Sequence, residues 1–174
     1  MKQRPKVWIV LIVAAVMISF VPPVISAEVQ STSSRVEVSF NHPEQFADIR
    51  DRYLASEENK KEVLSTLREY IVQRAPSFLP KGDALRITFD NIKLAGVINI
   101  AGVVGDRRVV LATTPPMFMF EWAVTDSAGK VIGSAREKLE ENNFKDLSSR
   151  ADEGDPLRYE KAVLDDWMRN RLQS

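Results

Sequence analysis

The chain has 174 residues, of which 28% are charged and 44% are hydrophobic, a composition typical of a globular protein rather than a disordered or membrane-embedded one. It has no cysteine and one histidine, which excludes disulfides, thiol nucleophiles, iron–sulfur clusters and thiolate zinc sites. Beyond residue 27, 24 acidic residues outnumber 21 basic ones, and the resulting net charge of −3 argues against nucleic acid and anionic lipid as main partners.

Residues 1–27 have the pattern of a cleavable secretory signal peptide. Three basic residues precede an uncharged apolar run over 7–21, two prolines end that run, and Ala27 supplies a small residue at the cut. The run is shorter than the ~20 residues that usually span a bilayer, so we expect no stable membrane span after signal removal. We expect 28–34 to be a flexible N-terminus and 35–174 to be a single domain.

The first half of this domain has a strand pattern followed by a helix pattern. In "RVEVSF", Val36, Val38 and Phe40 share one face, as in a strand with one buried side. The segment "SEENKKEVLSTLREYIVQRA" predicts a helix that begins after the N-cap Ser56 and ends at Pro76. At helical spacing its apolar stripe consists of Val63, Leu64, Leu67, Tyr70 and Ile71.

Three further strands are predicted downstream. "ALRITFDNIKLAG" alternates until Asp90–Asn91, where a phase slip predicts a β-bulge. "MFMFEWAVTDSAGKVIGSAREKL" predicts a hairpin with its turn at 126–129. One face of its first strand carries Phe118, Phe120, Trp122 and Val124. The polar linker that follows is expected to be held in place by Phe144 and Leu147.

The stretch 94–105, "LAGVINIAGVVG", carries no charge and fits the strand patterns poorly. It favours a buried or half-buried strand–turn–strand unit. The alternative is an exposed apolar loop that contacts a partner or a bilayer surface. In that case Ile98, Ile100 and Val103 are the candidate partner contacts.

The last helix is predicted over 155–172, with Asp155 as N-cap and Pro156 as its first helical residue. Its apolar stripe consists of Leu157, Val163, Leu164, Trp167, Met168 and Leu172. Glu160 lies inside this stripe, and an unpaired buried carboxylate is costly, so we interpret it as a structural carboxylate with an ionic or hydrogen-bonding partner. The alternative, a general acid with a raised pKa, requires a cleft and a companion base. A charged, buried partner would make Glu160→Gln destabilising by about 1–3 kcal/mol.

Together these patterns predict an α+β fold: a two-layer sandwich with a mostly antiparallel sheet and two amphipathic helices on one face. The catalytic candidates are His42, Glu44, Asp48 and Asp90, because a histidine beside carboxylates can act as an oriented base. Asp165 and Asp166 are interpreted as solvated charges. No metal site and no cofactor is predicted.

Three blocks resemble a known family: "VEVSF…HPEQFADIRD", "LRITFDNIKLAG" and "DPLRYEKAVLDDWMR". They are similar to the domain of unknown function 3016, a family of uncharacterised exported proteins of Gram-negative bacteria. The resemblance covers most of 35–170 and is most specific in the last block. It implies a periplasmic single-domain protein, and it assigns no activity, cofactor or catalytic residue.

Two functions are compatible with these observations. The preferred one is a non-enzymatic periplasmic module for binding or envelope maintenance, whose partner is an envelope protein or an apolar ligand contacted by 94–105 and the open face of the sheet. The alternative is an envelope hydrolase that uses the carboxylates named above together with His42. A fold alone does not distinguish between them.

Overall fold

A computed structural model of the chain describes residues 35–50, 56–98, 108–147 and 153–173, which fall in one compact unit. The predicted signal peptide 1–27 and the predicted flexible segment 28–34 lie outside the described residues. The elements are β1 (Val36–Phe40), α1 (Glu57–Arg74), β2 (Ala84–Lys93), β3 (Val97–Ile98), β4 (Arg108–Val109), β5 (Met117–Thr125), β6 (Val131–Glu140), α2 (Phe144–Leu147) and α3 (Arg158–Leu172).

The main sheet has four strands in the order β1-β2-β5-β6. β1 runs parallel to β2, since α1 connects them, and the other two pairings are antiparallel. β3 and β4 form a separate two-stranded antiparallel sheet. The α+β class with a mostly antiparallel sheet is therefore confirmed, and the two-layer arrangement remains a prediction.

Alternation along the strands gives the sheet one apolar face. In the β2–β5 register, Leu85 pairs with Val124 and Phe89 pairs with Phe120, so side chains of like character meet across the strands. The predicted bulge is present between Phe89 and Asn91. It keeps Ile92, which is fully buried, on the core side although the phase of the sequence has changed.

The helices add their apolar stripes to the same core. Val63, Leu64, Leu67 and Ile71 of α1 are buried, as are Val163, Leu164, Trp167, Met168 and Leu172 of α3. The ring of Trp167 meets that of Phe120 edge-on, with centroids 4.9 Å apart. α1 begins where predicted, because the Ser56 hydroxyl accepts a hydrogen bond from the Asn59 N–H.

The start of the last helix was predicted wrongly. α3 begins at Arg158, two residues later than the sequence pattern indicated, and Asp155 is not its N-cap. Asp155 instead accepts a hydrogen bond from the Leu157 N–H and so closes the turn that precedes the helix. The polar linker also contains the short helix α2, whose fully buried Phe144 packs edge-on against Tyr159.

Within the described ranges, no helix has both the length and the apolar character needed to cross a membrane.

Candidate functional site

The two-stranded sheet β3–β4, which we call the arm, leaves the main sheet immediately after β2. Val97 and Val109 lie opposite each other in its ladder and are 44% and 37% exposed. Leu111 beside it is 46% exposed, whereas Ile98 is half-buried. The other two candidate contacts, Ile100 and Val103, lie outside the described residues.

The arm is joined to the core by the buried turn Leu94–Gly96. Gly96 has φ +84°, and a Cβ built on it would lie 2.3 Å from the Val109 carbonyl oxygen. Only glycine accommodates both the conformation and this close approach. The first part of 94–105 is therefore buried, and its continuation in β3 is exposed or half-buried. The rest of the segment, 99–105, lies outside the described residues, so both interpretations of it stay predictions.

Arg108 holds the arm against the rest of the domain. Its side chain is only 9% exposed, and one guanidinium nitrogen lies 2.7 Å from an Asp48 carboxylate oxygen. The guanidinium also donates to the backbone carbonyls of Gly96, at 3.0 Å, and Arg50. Because these donors have fixed directions, a single side chain fixes three segments relative to one another.

Glu160 contacts the same turn from the first turn of α3. Its residue is 2% exposed, and Oε1 accepts a hydrogen bond of 2.7 Å from the Ala95 N–H. Oε2 is buried and has no hydrogen-bond partner among the described residues. Arg108 therefore binds the carbonyl side of the turn, and Glu160 binds its N–H side. We call Asp48, Leu94–Gly96, Arg108 and Glu160 the arm base.

The electrostatics of Glu160 follow from this geometry. Burial raises the pKa of its carboxyl group, because the loss of water penalises the charged form. The Ala95 N–H and the positive charge of Arg108 oppose this rise, Asp155 adds to it, and the net pKa stays above the ordinary value. Glu160 is thus a buried carboxyl group with an amide partner, and its structural role remains a prediction.

The four catalytic candidates are divided among different partners. His42 and Glu44 lie together, with Nδ1 3.3 Å from Oε1, but both side chains are more than 60% exposed. Asp48 pairs with Arg108, and Asp90 pairs with Arg136 at 2.8 Å on the opposite face of the main sheet from the core. A cavity of about 180 Å³ is lined by Asp48 but by none of the other three. The hydrolase hypothesis thus retains only the exposed His42–Glu44 pair as a geometric basis.

The face of the main sheet that points away from the core is polar. It carries a shallow concavity of about 430 Å³, lined by Arg86, Thr88, Glu121, Trp122, Ala123, Ser134, Ala135 and Arg136. Arg86 pairs with Glu37, and Arg136 pairs with Asp90 and Glu121. Cations and carboxylates on this face satisfy one another, as on a solvated antiparallel sheet. Over the described ranges, no group of three or more histidine or acidic side chains is arranged to hold a metal ion.

One carboxylate on the core side of the main sheet, Glu137, was not identified from the sequence. Glu137 of β6 faces the core side, where its two oxygens accept hydrogen bonds from the indole N–H groups of Trp122 and Trp167, at 2.9 and 3.1 Å. Arg171 lies 3.4 Å from one of these oxygens. The period-two pattern of β6 placed Glu137 on the inner face together with Leu139, and that was the available signal.

Asp165 is an ion-paired residue between helices rather than a solvated charge. Its carboxylate accepts hydrogen bonds from Arg74 and Tyr70 of α1 and from Arg169 of its own helix. Burial alone would raise the pKa of Asp165, but the bond from Arg74 and the surrounding positive charges hold it below its ordinary value. Burial and the adjacent Asp165 raise the pKa of Tyr70 to about 12.

Comparison with known families decides the relationship of this chain. The family model described as "Protein of unknown function (DUF3016)" matches residues 34–170, well over half of the sequence. The chain belongs to the DUF3016 family. No curated protein and no solved structure matches it significantly.

The residues matched by the DUF3016 model include the whole arm base and both glutamates that face the core, Glu137 and Glu160. It confirms the relationship that the three sequence blocks indicated. Family membership assigns no reaction, so the function has to be argued from the geometry of this chain.

Proposed function

We propose that this DUF3016 protein is an exported, non-enzymatic binding module of the periplasm, which uses the arm to contact a protein of the cell envelope. The signal-peptide pattern in 1–27 supports export. The intact mass of the protein recovered outside the cytoplasm tests this part. A mass that retains 1–27 would contradict cleavage, and recovery only from the cytoplasm would contradict export.

The observation that carries the proposal is the paired apolar surface of the arm. Val97 and Val109 face the same way because they are directly opposed in an antiparallel ladder, and Leu111 follows two residues later. Exposed apolar residues that are scattered singly need no explanation, but a contiguous group on an anchored element indicates an interaction site. In the sequence that connects the two strands, 99–105 is uncharged, and Asp106 and Arg107 carry opposite charges.

The chemistry of the arm favours a partner with an apolar groove. The segment 94–105 offers no charge for steering, and the domain beyond residue 27 is acidic, which disfavours anionic lipid. The arm base keeps the backbone of the turn Leu94–Gly96 fixed before binding, and this lowers the entropy lost on association.

A photoreactive amino acid at Leu111, which is 46% exposed, tests the proposal in cells. Ile98 is less suitable, because it pairs with the largely buried Arg108 in the ladder and therefore faces away from the paired valines of the arm. The matched control is Ile132, which is 55% exposed and lies at the start of β6, at the opposite end of the main sheet from Lys93, the last residue of β2. We expect a discrete protein adduct from position 111 and none from position 132. Equal adducts from both positions, or none from position 111 in an abundant folded protein, would overturn the proposal.

A double variant of the arm provides the second test. Val97→Ser with Val109→Ser removes the apolar pair, and Val131→Ser with Ile132→Ser removes a similar exposed pair elsewhere. We expect only the first double variant to lose the adduct formed from position 111. Binding of the unmodified protein to anionic vesicles that also depends on Val97 and Val109 would identify a bilayer, and it would contradict a protein partner.

A further inference from the structure

Among the described side chains, Glu160 stands out because it is deeply buried and yet lacks a hydrogen-bond partner for one of its two oxygens. It has a carboxylate oxygen without a described partner inside the core, directly beneath the turn that leads to the arm. A buried carboxyl group in such a position is favoured when it is neutral, and it gains water only if the surrounding contact opens.

The contact that would have to open is local. Glu160 reaches the arm base through one hydrogen bond, to Ala95, and the neighbouring Gly96 N–H donates to the Thr114 carbonyl at 2.8 Å. The remaining connections of the turn Leu94–Gly96 pass through Arg108 and through the bond from the Leu94 N–H to the Asp48 carbonyl. Separation of this turn from α3 would expose Glu160 while the sheet stays intact.

Within the described ranges, two charged groups from different segments act on Glu160. Arg108 approaches from β4, and Asp155 approaches from the turn before α3. Each has its own partner, since Arg108 pairs with Asp48, and Asp155 pairs with Lys161 of α3. No cation lies within ion-pair distance of Glu160 among the described residues, so no salt bridge offsets the loss of hydration when it ionises.

We infer that protonation of Glu160 regulates the arm: the neutral carboxyl group keeps the arm base closed, and ionisation favours its opening. This inference rests on the proposed function for its biological use, but the physical device can be tested without any partner. It gives the arm two states, and a partner that recognises one of them would bind in a pH-dependent way.

The direction follows from linkage. Because the closed state raises the pKa of Glu160, it binds the proton more tightly than the open state, where the group is hydrated. Closure is therefore most favoured in acid and weakens as the pH rises from the ordinary carboxyl pKa to the raised one. In that interval the equilibrium constant for opening increases by as much as about tenfold per pH unit, because one proton is released. Above the interval the constant no longer depends on pH.

Amide hydrogen exchange of the whole protein, corrected for the intrinsic pH dependence of exchange, measures this opening. We expect protection at Ala95 and Gly96 to fall with rising pH in the unmodified protein and to stay constant in Glu160→Gln, which preserves the shape of the side chain. Amides of the β5–β6 hairpin serve as the internal control, because they should require a larger free energy of opening than Ala95 and Gly96 at every pH.

Two outcomes would overturn the inference. One is pH-independent protection at Ala95 and Gly96, and the other is the same free energy of opening for these two amides and for the hairpin, which would indicate global unfolding. Cross-linking from position 111 is read separately. A pH-dependent arm base without an adduct would contradict the proposed function alone, and an adduct with a constant arm base would contradict the switch alone.

Discussion

The two inward-facing glutamates differ in how their charge is satisfied. Glu137 accepts hydrogen bonds from two indole N–H groups and lies near Arg171, so each of its oxygens has a described partner. Glu160 is more deeply buried but has one described hydrogen bond, and one of its oxygens has no partner among the described residues. We therefore expect the charge of Glu137 to stabilise the fold and the charge of Glu160 to oppose it.

The difference follows from what surrounds each residue. Glu137 lies on an edge strand beside the C-terminal turn of α3, where two amphipathic indole rings and Arg171 can reach it. Glu160 lies near the N-terminus of α3, where its charge is favoured by the helix dipole. Arg108, the cation that attracts it within the described part of the chain, is already bound to Asp48 and to backbone carbonyls. Deep burial of a carboxylate is therefore not in itself a sign of a strong ionic contact.

The largest effect is expected at Arg108, the residue on which the arm base depends. Arg108→Met leaves the Asp48 carboxylate and several carbonyls without their donor, and it should lower the free energy of unfolding by about 3 kcal/mol. Urea unfolding measures this loss. The matched control is Arg86→Met, in which an arginine that is 71% exposed loses its partner Glu37, and it should cost less than about 0.5 kcal/mol. Similar losses in both variants would show that Arg108 does not anchor the arm base.

The next effect is expected at Glu137. Glu137→Gln replaces an acceptor oxygen with an amide NH₂ group, which cannot accept from one of the two indoles. We expect a loss of about 1–2 kcal/mol, because one indole N–H in this partly buried site then has no acceptor. Thermal unfolding followed by tryptophan fluorescence measures it. Glu121→Gln on the opposite face of β5, where the side chain is 61% exposed, should be nearly neutral. A neutral Glu137→Gln variant would remove the contrast between the two glutamates.

A smaller effect is expected at Asp165, which connects α3 to α1. Because its pKa is lowered in the folded state, its contribution is present above the ordinary carboxyl pKa and is lost as the pH falls through the lowered value. Asp165→Asn should cost about 0.5–1 kcal/mol near neutral pH and progressively less in acid, since Arg74 is partly exposed and solvent screens the pair. Chemical unfolding across this pH range measures the loss, and Asp166→Asn, one residue along the helix, is the control. A loss that does not decrease in acid would contradict an ionic role.

The sequence predicted the elements well wherever one periodicity dominated. The stripes of α1 and α3, the hairpin turn and the bulge after Phe89 all follow from local spacing, which determines which side chains share a face. The start of α3 was misplaced because Asp155 and Pro156 have the same signature in a turn as at a helix N-terminus.

The candidate site could be predicted only in part. Glu160 was recognised as an inward carboxylate from its place in the helical stripe, but its amide partner comes from a turn 65 residues away in the chain. Arg108 was not identified, because a buried arginine and an exposed one look alike in sequence and only the fold brings Asp48 and the turn Leu94–Gly96 to it. Contacts between distant segments of the chain depend on the assembled structure, which periodicity does not encode.

The smallest change in the free energy of unfolding in acid is expected for Glu160→Gln. This expectation differs from the one drawn from the sequence. A cost of about 1–3 kcal/mol required a charged, buried partner, but the described partner is the neutral Ala95 N–H. The amide oxygen of Gln can accept that same hydrogen bond. Glu160→Gln should therefore change the free energy of unfolding by less than about 0.5 kcal/mol at a pH where the parent carboxyl group is neutral.

At higher pH, Glu160→Gln should increase the free energy of unfolding relative to the parent. The parent loses stability as the pH rises from the ordinary carboxyl pKa to the raised value in the fold, because the unfolded chain releases the proton more readily, whereas Gln releases none. Above that interval Glu160→Gln should be the more stable protein, unlike Glu137→Gln, which should be less stable at neutral pH. Urea unfolding of the parent and both variants across the same pH range measures the contrast. If Glu160→Gln were destabilising at every pH, the attraction of Arg108 for the carboxylate would outweigh the loss of hydration, and both glutamates would stabilise the fold through their charge.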